Sequence, residues 1–218
     1  MDPQSPDPEQ EFETVRATLA QGLEALRLHG PTETDKLARL CLLLAEWAPR
    51  MNLTGHRGAE EIARRLVLDA VALISVLPDF RTLADLGSGA GFPGLPIAIL
   101  FPDRALISVE SRSRRCAFQK TAVRTLGLGN VTILQRRIED PDPQPVDAVL
   151  AQAVAPPDRI MDLMLPWASP GGWMAVPGTP ESLSSPPVPA PGQDAGEIRP
   201  YRVPLDGVER RVWLTRTR

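Results

Sequence analysis

Apolar positions follow two rhythms along the chain. Up to about residue 77 they recur every three or four residues, which predicts helices. Phe12, Val15, Leu19, Leu23 and Leu26 make one stripe, over residues 9–29, closed by Gly30-Pro31. Leu37, Leu40, Leu44 and Trp47 make a second stripe, from Thr34, which Pro49 is expected to stop. Ile62, Leu66, Ala70, Leu73 and Ile74 make a third, in a helix expected from about Ala59 to Leu77. From Arg81 the rhythm shortens to apolar runs alternating with helical stretches. "TLADLG", "ALISVE", "VTILQR", "VDAVLAQAV" and "WMAVPG" read as five strands. "PIAILF", "RCAFQKTAVRTLG" and "RIMDLMLPWA" read as the helices among them, which implies a parallel sheet with crossover helices. Residues 179–200 carry too much proline and serine for a helix and read as a loop. "YRVPL" and "RRVWLTRT" suit an antiparallel hairpin at the sheet edge. The expected organisation is a disordered tail at 1–8, a helical lobe at 9–78 and an α/β domain at 79–218.

Length changes this picture little: 218 residues suffice for one core of ordinary size. The net charge of −3 does not point to nucleic acid, but the cations cluster. They are nearly all arginine, with Arg112, Arg114 and Arg115 together, then Arg136 and Arg137, then Arg210, Arg211, Arg216 and Arg218. Arginine forks suit phosphate, although such clusters are more often plain solvated surface. Cys41 and Cys116 match no metal-ligand spacing and read as buried free thiols in a reducing cytosol. His29 and His56 have no partners in the sequence and read as surface or structural residues. No apolar run approaches the roughly 18–20 residues of a membrane span, and the acidic, Pro-rich start is unlike a targeting peptide. A cytoplasmic, metal-free protein is expected.

The candidate chemistry sits in "LADLGSGAGFPGLP", residues 83–96. Gly89, Gly91 and Gly94 satisfy G-x-G-x-x-G, and Glu110 ends the next strand, where it could take ribose hydroxyls. A nicotinamide or nucleotide would fit that spacing, and so would a tight turn with no ligand. Asp85 favours S-adenosylmethionine: a carboxylate two residues before Gly87 repels a diphosphate and attracts an ammonium or a sulfonium. Bare glycine backbone would let the chain approach the amino-acid half of that molecule.

Four stretches make the chain resemble the bacterial ribosomal RNA small subunit methyltransferase G family. They are "EWAPRMNLTG" at 46–55, "LADLGSGAGFPGLPIAILFPD" at 83–103, "RRIED" at 136–140, and "VLAQAVAPPDRIMDLMLPWASPGGWMAVPG" at 149–178. The resemblance implies a Rossmann-like class I fold with S-adenosylmethionine as cofactor. It also implies methyl transfer to N7 of a guanine in the decoding-region loop of 16S ribosomal RNA. The implied partner is that RNA or the assembling small subunit; separately, a monomer is expected. The expected cofactor-binding set is Asp85, Gly87, Gly89, Gly91, Phe92, Glu110, Ile138, Glu139 and Gln152. Within it, Gly87 and Phe92 would contact the cofactor, Glu110 would hold its ribose, and Ile138 and Glu139 would flank its adenine. No catalytic residue is expected, because guanine N7 has a free lone pair and needs alignment more than a base.

Three positions depart from the family pattern. Gln152 stands where an arginine is usual, Pro177 where a lysine is usual and Leu66 where a histidine is usual. Each change removes a cation, or a potential one, near the expected mouth of the site. A diverged member acting on another RNA or a small molecule, or a non-catalytic binder, is therefore the competing expectation.

Overall fold

The computed structural model describes residues 7–28, 30–141, 144–155, 157–184 and 193–218. Of the expected tail, residues 1–6 lie outside the described residues, and so does His29. Asp7 and Pro8 belong instead to the first helix. The Asp7 carboxylate accepts from the Glu9 amide at 3.2 Å, and Pro8 opens helix α1, Pro8–Ala25. Such a start satisfies an otherwise orphaned amide with a side-chain oxygen.

Helix α2, Pro31–Met51, runs through Pro49 rather than stopping there. Pro49 lies in the last turn, where its missing amide removes one bond only. Asn52 then ends the helix in the left-handed region and donates to Ala48 O at 2.9 Å. The third helix is not continuous. It consists of α3, Ala59–Ile62, a π-turn at Ala63–Val67, and α4, Leu68–Ile74. The wider turn shifts the helical phase, so Val67, Leu68 and Val71 are fully buried while Leu66 is only half-buried.

Seven strands follow: β1 Thr82–Leu86, β2 Ala105–Glu110, β3 Val131–Gln135, β4 Val146–Ala151, β5 Ala168–Gly178, β6 Glu197–Arg202 and β7 Glu209–Arg216. Their order is β3-β2-β1-β4-β5-β7-β6. The first five are parallel, and β7 and β6 close the edge antiparallel. β4 stops at Ala151, three residues earlier than its apolar pattern suggests. β6 begins at Glu197, inside the expected loop, and tolerates Pro200 because it is an edge strand. Residues 185–192 of that loop lie outside the described residues.

Helices α5, Gly94–Leu100, and α6, Ser113–Leu126, cover one face of the sheet, and the N-terminal helices pack over them. Leu19, Leu37, Leu44 and Ile62 share one apolar cluster with Leu95, Ile99 and Phe118. Helix α7, Pro157–Met164, and Trp167 cover the other face through Ile160, Met161, Val149 and Met174. Burial on both faces explains why the central strands β1 and β4 are almost wholly buried, whereas the edge strand β3 exposes Thr132 and Gln135.

Candidate functional site

Strand order reverses between β1 and β4, so the segments after them diverge and leave a crevice at the carboxyl edge of the sheet. A cleft of about 360 Å³ lies there, lined by Gly87, Glu110, Arg115, Ile138, Glu139 and Val154 among others. That volume falls within the usual range of small-molecule sites. The segment after β3 is pinned by Trp167, whose indole donates to Ile138 O at 2.9 Å.

Glu110 anchors the cleft. It is 5% exposed, and its Oε1 accepts from the Arg112 amide at 2.8 Å and the Ser111 hydroxyl at 3.4 Å. Its Oε2 accepts from the Gly89 amide at 3.1 Å and from Arg115 Nη1 at 3.4 Å. The ring of donors keeps a buried charge compensated and fixes its direction.

The glycines serve the protein's own packing more than the sequence suggested. Gly87 has a φ of +69°, and a Cβ there would lie 2.6 Å from Val154 Cγ2. At Gly91 a Cβ would meet Leu95 Cδ1 at 2.4 Å, and at Gly94 it would meet Asp85 Oδ2 at 2.6 Å. Gly89 differs: its φ is +60°, but its nearest neighbour would be Arg115 Nη1 at 3.8 Å. Backbone conformation requires glycine there, whereas close approach does not.

Asp85 lies beneath the loop and is not part of the cleft lining. It is 1% exposed, and its Oδ2 accepts from the Gly94 amide, in the first turn of α5, at 2.9 Å. Burial pushes its pKa up to about 7, the Gly94 bond opposes that rise and the Glu110 charge adds to it. The carboxyl that sequence reading assigned to a cationic ligand thus ties the loop to the helix that follows it.

Of the expected residues, the structure brings Gly87, Glu110, Ile138 and Glu139 to one cleft. Phe92 and Gln152 sit on the other side of the loop after β4, around a small cavity of about 30 Å³ that Leu66, Asp69 and Tyr201 also line. Gln152 further borders a cleft of about 310 Å³ with Pro177, Thr179, Ser182 and Arg210. Ala153, at a φ of +55°, borders both this cleft and the first. Gln152, Pro177 and Leu66, the three positions expected to differ from the family pattern, therefore gather on one side.

Two groups escaped sequence reading. Asp69 accepts from the Tyr201 hydroxyl at 3.1 Å and from Arg210 Nε at 3.0 Å, and burial beside it pushes the Tyr201 hydroxyl pKa up. Ser88, Ser108 and Gln119 form a buried knot under the glycine loop. The available signal was a polar residue on an otherwise buried face, as at Gln119 between Cys116 and Ala122. His56 Nδ1 lies 3.0 Å from Glu61 Oε1, at the start of α3 and away from the cleft. Among the described residues no three His, Cys, Asp or Glu side chains gather as a metal site, and no helix is long and apolar enough to cross a membrane.

Comparison with known proteins agrees with this geometry. The family model of the rRNA small subunit methyltransferase G family matches residues 33–181. A relative named ribosomal RNA small subunit methyltransferase G from Aromatoleum aromaticum is 36% identical over 203 residues, covering 90% of this chain and 96% of that protein. Its namesake from Chromohalobacter salexigens is 33% identical over 196 residues, covering 89% and 93%. Among solved structures, Thermus thermophilus TrmN superposes with a TM-score of 0.50 at 21% identity, over 80% of this chain and 53% of that one. A Klebsiella pneumoniae protein provisionally classed as an O-methyltransferase gives a TM-score of 0.58 at 16% identity, over 97% and 99%. These two likenesses concern the fold, which is the Rossmann-like methyltransferase fold. Family model, relatives of nearly equal length and the crevice after β1 agree: the chain belongs to the ribosomal RNA small subunit methyltransferase G family.

Proposed function

We propose that this protein transfers a methyl group from S-adenosylmethionine to N7 of a guanine in the decoding-region loop of 16S ribosomal RNA, in the cytoplasm. The observation that carries the reading is the pair of clefts on either side of residues 152–155. The one at Glu110 suits a nucleoside, because the carboxylate can exchange its two long contacts, from Ser111 and Arg115 at 3.4 Å, for two adjacent ribose hydroxyls while Ile138 offers an apolar wall. The one at Arg210 is open to the acceptor and meets the first at Ala153. S-adenosylmethionine supplies an electrophilic methyl on a sulfonium.

The chain's own residues then do positional work. Glu110 orients the nucleoside half, Gly87 shapes the floor, and Val154 and Ala153 separate donor from acceptor. Guanine N7 presents an in-plane lone pair without losing a proton, so holding the two reactants in line accounts for much of the rate. Arg210, steadied by Asp69 at 3.0 Å, places a cation at the acceptor cleft, where an RNA phosphate or carbonyl oxygen would meet it.

The test is mass spectrometry of 16S ribosomal RNA from a deletion strain and its complemented parent. Loss of one N7-methylguanine, restored by the gene, is expected. A full complement of that methyl group in the deletion strain, with no second family member present, overturns the reading. A second reading, a drifted acceptor, rests on Gln152 and Pro177, both neutral and both bordering the acceptor cleft. It predicts methylation of another RNA in the same experiment.

A further inference from the structure

Gln119 is an amide with 0% exposure in the middle of α6, among Phe118, Ala122 and Cys116. A buried amide needs partners, and this one has a set. Its Nε2 lies 2.8 Å from Ser88 Oγ and 2.8 Å from Gly89 O. Its Oε1 accepts from the Ser108 hydroxyl at 2.5 Å, and the Ser88 and Ser108 oxygens are 2.7 Å apart. One proton arrangement satisfies every group. Nε2 donates one hydrogen to Gly89 O and one to Ser88, Ser88 donates to Ser108, and Ser108 donates back to Oε1.

Three of these contacts form a closed ring among side chains from the loop, β2 and α6. The fourth leaves the ring and pulls on the backbone at Gly89. That residue is the one loop glycine whose Cβ side is open, and its amide donates to Glu110 Oε2 at 3.1 Å. The Gly89 carbonyl is held from below by Gln119 while the Gly89 amide is held against Glu110. Rotating the backbone around Gly89 would break both bonds. We infer that Gln119 is a positioning residue for the cofactor cleft, acting through the Gly89 carbonyl to fix the glycine loop and, with it, the direction of the Glu110 carboxylate.

The inference rests on the reading of this cleft as the S-adenosylmethionine site. It differs from a packing role in what it predicts for neighbours. Ser108 belongs to the same ring but does not touch Gly89, so Ser108→Ala cuts the tie to Ser88 and leaves the Gln119 bond to the Gly89 carbonyl in place. Gln119→Met keeps the volume and releases the loop.

The experiment measures S-adenosylhomocysteine affinity by calorimetry and melting temperature by differential scanning for the full chain and its variants. Gln119→Met should bind about tenfold more weakly, the scale of one lost bond to a buried carbonyl. Ser108→Ala should melt earlier and lose clearly less affinity than Gln119→Met, because the Gly89 carbonyl keeps its bond. Gln119→Asn keeps an amide in the core but withdraws it by one methylene from Gly89, and it must show the same loss if the methionine variant does not fold. In the Glu110→Ala background the penalty for Gln119→Met should shrink several-fold, because the two residues act in series. Unchanged affinity in both Gln119 variants, equal weakening in Ser108→Ala, or full additivity with Glu110→Ala each overturns the inference while leaving the cofactor assignment standing. A parent protein that ignores S-adenosylhomocysteine overturns both.

Discussion

The two sides of the loop after β4 are built differently. On the donor side, strand ends, amides and one carboxylate are bonded to each other: Glu110 has four donors, and the Gly87 and Ser88 amides both reach Val109 O, at 2.8 and 3.1 Å. On the acceptor side the walls are turns and long side chains. Thr179 and Ser182 bond each other, and Arg211 Nη1 reaches the Leu183 carbonyl at 3.0 Å. A site made of backbone bonds is rigid and serves a ligand that never changes. A site made of side chains adapts by substitution, and Gln152, Pro177 and Leu66, where the resemblance implies an arginine, a lysine and a histidine, all lie there.

The largest effect that can break this contrast is expected at Gly87. Gly87→Val puts a branched side chain at a φ of +69° and into Val154. Left-handed strain and overlap together cost on the order of 3 kcal/mol of stability, read as an earlier melting transition, and weaken S-adenosylhomocysteine binding as the loop shifts away from Val154. Adding Val154→Ala should recover the overlap and leave the strain. Glu110→Ala comes next: losing charged hydrogen bonds should weaken S-adenosylhomocysteine binding by about 1.5–3 kcal/mol. Calorimetry showing parental affinity would remove Glu110 from the cleft's function.

A smaller effect concerns Asp85 and is read against pH. Its pKa is raised from 3.8 to about 7, so the fold favours the protonated form. The contribution of Asp85 to stability is therefore full below about pH 4 and is lost as pH rises through about 7. Asp85→Asn, which still accepts from Gly94, should flatten that decline in urea unfolding curves taken between those limits. A difference between parent and variant that does not change over the same window contradicts the burial argument. The smallest effect on the donor side is expected from Gln152→Arg. Affinity for S-adenosylhomocysteine should stay within about twofold, while methylation of small-subunit RNA should rise about tenfold, the scale of a restored charged contact. Equal changes in both would show that the two sides are not separable.

Much of the donor side was legible in the chain. The apolar runs named the first five strands, and Glu110 stood out because a charge ends an otherwise buried strand. The acceptor side was not. It is assembled from Asp69, Gln152, Pro177 and Arg210, which lie on four separate elements and share no spacing. The π-turn at 63–67 was also hidden, since one extra residue in a turn leaves the apolar pattern nearly intact while turning Leu66 aside. Asp85 was found in the right loop with a different partner. Its place before Gly87 is a matter of sequence, but its direction depends on where α5 begins.

The sequence by itself determined the order of strands and helices, the glycine loop and the family, because periodicity and short motifs are properties of neighbouring residues. Tertiary structure alone decided that Asp85 turns inward, that Val154 rests on Gly87, and that Gln119 grips Gly89. Each of those facts depends on the distance between segments far apart in the chain. Close packing of the sheet and its helices sets that distance, and no local pattern encodes it.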